Sequence, residues 1–201
     1  MRGLVESRLH GFLKKVGVAF LLNQGCFMVD TEVSLSRFGQ RRLGDLDARH
    51  VIDVCGVGER LREVRGLPHG EERGLYEVGE NILRGVEVKV SRSDFRSGFV
   101  CTGCNYNYLL TPMRLVAPWE VPQGVGLIEY NKHKFSVEPT DEDRLAFTGL
   151  RVVRKASFRS IGRIQVDNAV ACIARRSRIK EMTKAYKAIL KETGVAICVT
   201  Q

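Results

Sequence analysis

No stretch of this 201-residue sequence nears the roughly 18 consecutive apolar residues that a membrane-spanning helix requires. The first apolar run, Val16 to Leu22, is short, and Glu6, Arg8, Lys14 and Lys15 interrupt the approach to it, so it does not read as a signal peptide. We therefore expect a cytoplasmic protein with reduced cysteines. Glycine-rich phosphate-cradling motifs are missing as well, which excludes the usual route to ATP hydrolysis. The four histidines (His10, His50, His69 and His133) are scattered, with no pair at metal-ligand spacing. Cys101 and Cys104 form one C-x2-C, but a structural zinc site wants a second pair, and none exists. Cys26, Cys55, Cys172 and Cys198 stand among apolar neighbours and read as small core residues. Internal repeats and low-complexity segments are absent.

What is present is enough apolar sequence, 44% of residues, to build one good-sized core. The net charge of +9 is unevenly spread. Residues 1–150 hold 20 basic and 20 acidic side chains, while residues 151–201 hold 12 basic and 3 acidic. A basic segment attached to a neutral body is the footprint of a phosphate-backbone contact; a solvated basic helix is the plain alternative.

Helical spacing of Leu4, Leu9, Phe12, Leu13, Val16 and Phe20 predicts an opening helix over 4–24, closed by Gly25. Alternation predicts strands at 27–35, 51–57 and 82–90. The charged stretch 59–81, broken by Gly66, Pro68, Gly70 and Gly74, reads as a long mobile loop. Ser91, with Asp94 three residues on, predicts a helix cap. Strands at 108–116, 125–130 and 150–154 follow, then a basic amphipathic helix over about 165–191 and an apolar tail at 194–199. The order helix, three strands, helix, strand implies an α/β fold around a mixed sheet. We divide it into a core, 1–155, and a basic helical extension, 156–201, packed on or next to that core.

Chemistry concentrates in Gly85-Val86-Glu87-Val88-Lys89-Val90. On a strand, Glu87 and Lys89 share one face and the valines the other. Val51-Ile52-Asp53-Val54-Cys55 repeats the design, with one carboxylate inside an apolar run, which is costly to bury unless it is paired or holds a metal. If the two strands pair antiparallel, Asp53 and Glu87 converge. Two such carboxylates suit Mg²⁺ or Mn²⁺, and the adjacent Lys89 suits orienting a water or stabilising negative charge. An ion pair on an exposed strand edge is the bland reading of Glu-x-Lys.

With these motifs the sequence resembles the PD-(D/E)XK nuclease superfamily. Ile52-Asp53-Val54, Gly85 to Phe95, Cys104-Asn105-Tyr106-Asn107-Tyr108 and Val121 to Ile128 resemble in particular its MmcB-like, DNA-repair and phage-associated branch. The resemblance spans about residues 45–155. It implies a restriction-endonuclease-like αβββαβ core, metal binding by Asp53 and Glu87, catalysis with Lys89, and action on DNA. In some members the first helix adds a carboxylate, for which Glu6 is the candidate here. Asp45 and Asp47 compete with Asp53 but look like loop acids.

The late helix offers Arg175, Arg176, Arg178, Lys180 and Lys184 to the nucleic-acid backbone, and Arg92 stands at a helix start where phosphates are favoured. Tyr106, Tyr108 and Trp119 can stack on bases, although Tyr108 reads better as core and Trp119 as the cover of a turn. The expected function is a metal-dependent DNA endonuclease, for which a homodimer is the form that cuts two strands. The alternatives are an inactive nucleic-acid-binding protein on the same fold and a metal-dependent ribonuclease.

Overall fold

The computed structural model describes residues 7–35, 50–63, 76–98, 103–140 and 144–193. Glu6, Asp45, Asp47, Cys101 and the tail 194–199 lie outside the described residues. Helix α1 spans Arg8–Asn23 and opens on Ser7, whose Oγ accepts from the His10 N–H at 3.2 Å. It buries Leu13, Val16, Phe20 and Leu21, and Gly17 lets it lie close to the sheet. A Cβ there would come within 3.1 Å of Val54 Cγ2. Gly25, at φ +79°, turns the chain out of the helix.

Strands β1 (Cys26–Leu35), β2 (His50–Glu63), β3 (Tyr76–Val88), β4 (Tyr106–Pro112), β5 (Gly126–Tyr130) and β8 (Leu150–Arg154) form a six-stranded sheet in the order β1-β2-β3-β4-β5-β8. The β1–β2–β3 pairs are antiparallel, β3–β4–β5 are parallel, and β8 returns antiparallel. The fold is thus α/β with a mixed sheet. Helix α2 (Arg92–Arg96) leads from β3 towards β4, and helix α3 (Arg163–Thr193) closes the described chain.

Two apolar layers sandwich the sheet. The α1 side gathers Val54, Val86, Val88, Tyr108, Leu110 and Ile128. Opposite, Val166, Ala169 and Ile173 of α3 pack on Val33, Ile52, Cys55, Val57 and Leu83. The first half of α3 is therefore part of the core, whereas the whole stretch from Ser177 to Ile189 is exposed.

The structure corrects the expected loop at 59–81. Strands β2 and β3 run on as a hairpin ladder, with Glu59 opposite Asn81 and Glu63 opposite Tyr76. Backbone hydrogen bonds hold these arms, so the side-chain pattern gave no sign of them. A small hairpin, β6 (Ser136–Pro139) with β7 (Leu145–Thr148), was also not expected. It is tied to the end of α1 by Asn23, whose side chain bonds both the N–H and the C=O of Leu145.

Candidate active site

At its end the β2–β3 ladder pairs Val54 with Val86. One step further along each strand stand Asp53 and Glu87, and there the ladder gives way to a side chain. Asp53 Oδ2 accepts the Val88 N–H at 2.8 Å, a bond that would otherwise run between backbones. On its other side β3 remains parallel to β4, and the Lys89 N–H donates to the Leu110 C=O at 3.1 Å. The two carboxylates thus meet at the carboxyl end of β3, the usual place for a site in an α/β sheet.

A kink accompanies this. Ile52 and Val54 should share a face, yet they belong to opposite apolar layers. The register β1–β2 skips the position of Asp53, whose would-be partner Glu32 has φ +53°. A non-glycine residue there stores on the order of 1–3 kcal/mol and persists only when its surroundings hold it. They do: Arg176 Nη1 donates to the C=O groups of Thr31 and Glu32 at 2.7 and 2.9 Å. The Glu32 carboxylate accepts from Lys14 Nζ at 3.0 Å.

Lys14, only 8% exposed on the buried face of α1, also lies 3.3 Å from Asp53 Oδ1, and His10 Nε2 lies 3.5 Å from Asp53 Oδ2. On the opposite flank Lys89 Nζ stands 3.5 Å from Glu87 Oε1 and 3.3 Å from Asp94 Oδ1. Asp94 is itself fixed, its Oδ2 accepting the Val90 N–H and its own N–H donating to the capping Ser91 Oγ. The predicted trio Asp53, Glu87 and Lys89 is brought together. Lys14, His10 and Glu32 were not singled out from sequence, and Asp94 was read there as part of a helix cap, not as a partner of Lys89. For the first two a signal existed, since positions 10, 14, 17 and 21 form one helical stripe with Gly17 and Leu21.

Glu87 is pushed up from 4.5 to about 7, first by burial and then by the neighbouring Asp53 charge, against the opposing pull of Lys89. A carboxyl held this way binds a proton or a cation more readily than a free one. Among the described residues no group of three His, Cys, Asp and Glu side chains gathers to ligate an ion. An ion here would take two carboxylates and fill its remaining positions with water and ligand oxygens, a donor set that fits Mg²⁺ or Mn²⁺.

The predicted backbone-binding cations divide. Arg176 and Lys180 are engaged internally, Arg176 Nε at 3.2 Å and Lys180 Nζ at 2.6 Å from Asp30, which is 3% exposed on β1. Arg175, Arg178 and Lys184 are exposed along α3. Arg92 grips Glu120 with two hydrogen bonds of 2.8 Å and donates to the Leu115 C=O. Tyr108 is core, as read from sequence. Trp119 covers no turn: it is 85% exposed on the 3-10 turn Pro118–Glu120 that Arg92 braces. Tyr106 is half-buried, edge-on to Phe158 and beneath Arg84. Cys104 lies against Cys55, Sγ to Sγ 4.0 Å, in a fully buried pair. No helix among the described residues is long and apolar enough to cross a membrane.

No family model matches the sequence, and no curated protein does. A solved structure, that of a protein of unknown function from Silicibacter pomeroyi, matches over 90% of this chain and 92% of its own at 18% identity, with a TM-score of 0.46. A likeness of that degree carries no argument about family or function.

Proposed function

We propose that this chain is a divalent-metal-dependent DNA endonuclease built on a restriction-endonuclease-like core of the PD-(D/E)XK kind. The observation that carries the reading is the meeting of Asp53 and Glu87 where β2 and β3 part, with Lys89 beside Glu87 and Glu87 raised to about 7. Asp53 and Glu87 would hold Mg²⁺ or Mn²⁺. Once bound, the ion supplies charge neutralisation at a phosphodiester and lowers the pKa of an attacking water. Lys89, held by Glu87 and Asp94, orients that water and offers its ammonium to the developing negative charge. Lys14 and His10 fix the Asp53 carboxylate, and the turn at Glu32 ties this arrangement to α3 through Arg176. Arg175, Arg178 and Lys184 supply positive charge for the DNA backbone, and Trp119 offers an aromatic face for stacking.

A second reading has its own support. Asp53 is already satisfied by Lys14, His10 and the Val88 N–H, which suits a nucleic-acid-binding protein whose charge cluster only shapes the sheet. Incubation of duplex, single-stranded and branched DNA, and of RNA, with Mg²⁺, Mn²⁺ or EDTA separates the two. The nuclease reading expects metal-dependent cutting of DNA that Glu87→Ala and Lys89→Ala abolish. Binding without cutting, equal in all three proteins, moves the second reading to the front, and preferential cutting of RNA makes the enzyme a ribonuclease.

A further inference from the structure

We propose that a pocket at the amino ends of β3 and β4 binds a phosphate monoester, held by Arg60 and Arg84. The inference is independent of the nuclease reading. Arg84 precedes Glu87 by three residues and lies on the other face of β3, the α1 side that Val86 and Val88 share. Its neighbour Tyr106 is the first residue of β4, so the pocket lies at the end of these strands away from Asp53 and Glu87. The pocket measures about 520 Å³, within the size range of small-molecule sites. Gln24, where α1 ends, and the exposed Glu59 line it beside the two arginines and Tyr106.

Both guanidiniums are set on aromatic rings. Arg84 Cζ stands 5.4 Å from the Tyr106 centroid and Arg60 Cζ 4.2 Å from that of Phe158. The two rings meet edge-on with their centroids 5.6 Å apart, so one chain of contacts joins the two cations. Each ring takes up one face of its guanidinium, whereas the N–H donors lie in the guanidinium plane and remain for a ligand. Gly58 makes the room, because a Cβ there would collide with Arg84 Nη1. Arg84 is half-buried, and its hydrogen bond within the described chain runs from Nη1 to Cys26 Sγ at 4.0 Å, a weak acceptor. Among the described residues no carboxylate is ion-paired with either guanidinium. A half-buried cation without a counter-charge of its own favours an anionic ligand.

Charge and shape select the anion. Two planar forks on one pocket offer more donors than a single carboxylate accepts. A phosphate monoester carries close to two charges above about pH 6 and presents three strong acceptor oxygens. Glu59 argues against a long polyanion, whose repeated phosphates would have to pass its carboxylate. Together with Gln24 it suits instead the hydroxyl or amino groups of a small organic phosphate, a nucleotide or a sugar phosphate.

Calorimetric titration of the full chain in EDTA at about pH 8 tests this, with adenosine monophosphate, ribose phosphate, adenosine and succinate as probes. Both monoesters should bind and adenosine should not; the tighter of the two tells whether the phosphate comes on a nucleotide or on a sugar. Arg84→Gln and Arg60→Gln should each weaken binding by about tenfold or more. Arg84→Lys should weaken it too, since the charge stays but the fork is lost. Lys132→Ala, just past the carboxyl end of β5, should leave it intact. Circular dichroism verifies that each variant is folded; if Arg84→Gln is not, the exposed Arg60→Gln decides. A folded wild type that binds neither monoester at millimolar concentration overturns the proposal. So does adenosine or succinate binding as tightly as the monoesters, or monoester binding indifferent to both glutamine substitutions.

Discussion

Replacing Glu87 by Gln removes a charge while keeping the size of the side chain, and its consequence can be worked from the site. The carboxyl stands at about 7 rather than 4.5 because burial and Asp53 penalise its ionised form. A displacement of that size corresponds to a cost on the order of 3 kcal/mol once Glu87 is ionised in the folded protein. The sign follows from proton uptake. Between pH 4.5 and about 7 the folded state holds the proton that the unfolded state has released, so stability falls as pH rises through that window, and the full penalty stands above it. Glutamine mimics the neutral acid. Without metal, Glu87→Gln should match wild type at about pH 4.5 and exceed it by about 3 kcal/mol at about pH 8, or roughly 6–12 °C in Tm. Urea unfolding in EDTA at several pH values measures this, and the difference between the two proteins cancels the titrations of groups remote from Glu87. A gap that does not widen as pH rises would refute the reasoning, because Glu87 would then be an ordinary carboxylate.

Other substitutions test the surrounding structure. Arg176→Ala leaves the buried Asp30 with Lys180 and the Thr31 N–H, and frees two carbonyls at the strained turn, so it should cost about 2–4 kcal/mol in urea unfolding. Arg175→Ala should cost less than about 0.5 kcal/mol and instead weaken DNA binding. Asp53→Asn removes the carboxylate that Lys14 shares with Glu32, and should cost about 1–3 kcal/mol by the same assay. Gly126→Ala would place a Cβ 2.5 Å from the Tyr108 ring and 2.9 Å from the Ala156 nitrogen, and should lower stability by about 1–3 kcal/mol.

The convergence of Asp53 and Glu87 was legible as the consequence of pairing two apolar runs that each carry one carboxylate, whereas the kink that sends Ile52 and Val54 to opposite faces was not. The length of the β2–β3 pairing was not legible either, since Glu59, Arg62 and Glu63 form a ladder through backbone groups that side-chain hydrophobicity does not report. Long-range charge pairing was equally hidden. Arg176 and Lys180 look like any basic helix face until Asp30, on a strand far away in sequence, is set beneath them. The turn at Glu32 escaped notice because a glutamate at positive φ goes against local preference and is held by Lys14 and Arg176 from elsewhere in the fold.

The most direct test of the site is titration of the full chain with Mn²⁺ by calorimetry, at about pH 6 and about pH 8. The account predicts binding that tightens with pH as Glu87 gives up its proton, and that is lost in both Asp53→Asn and Glu87→Gln. Binding that survives both substitutions, or no binding at millimolar Mn²⁺ by a folded wild-type chain, would contradict it.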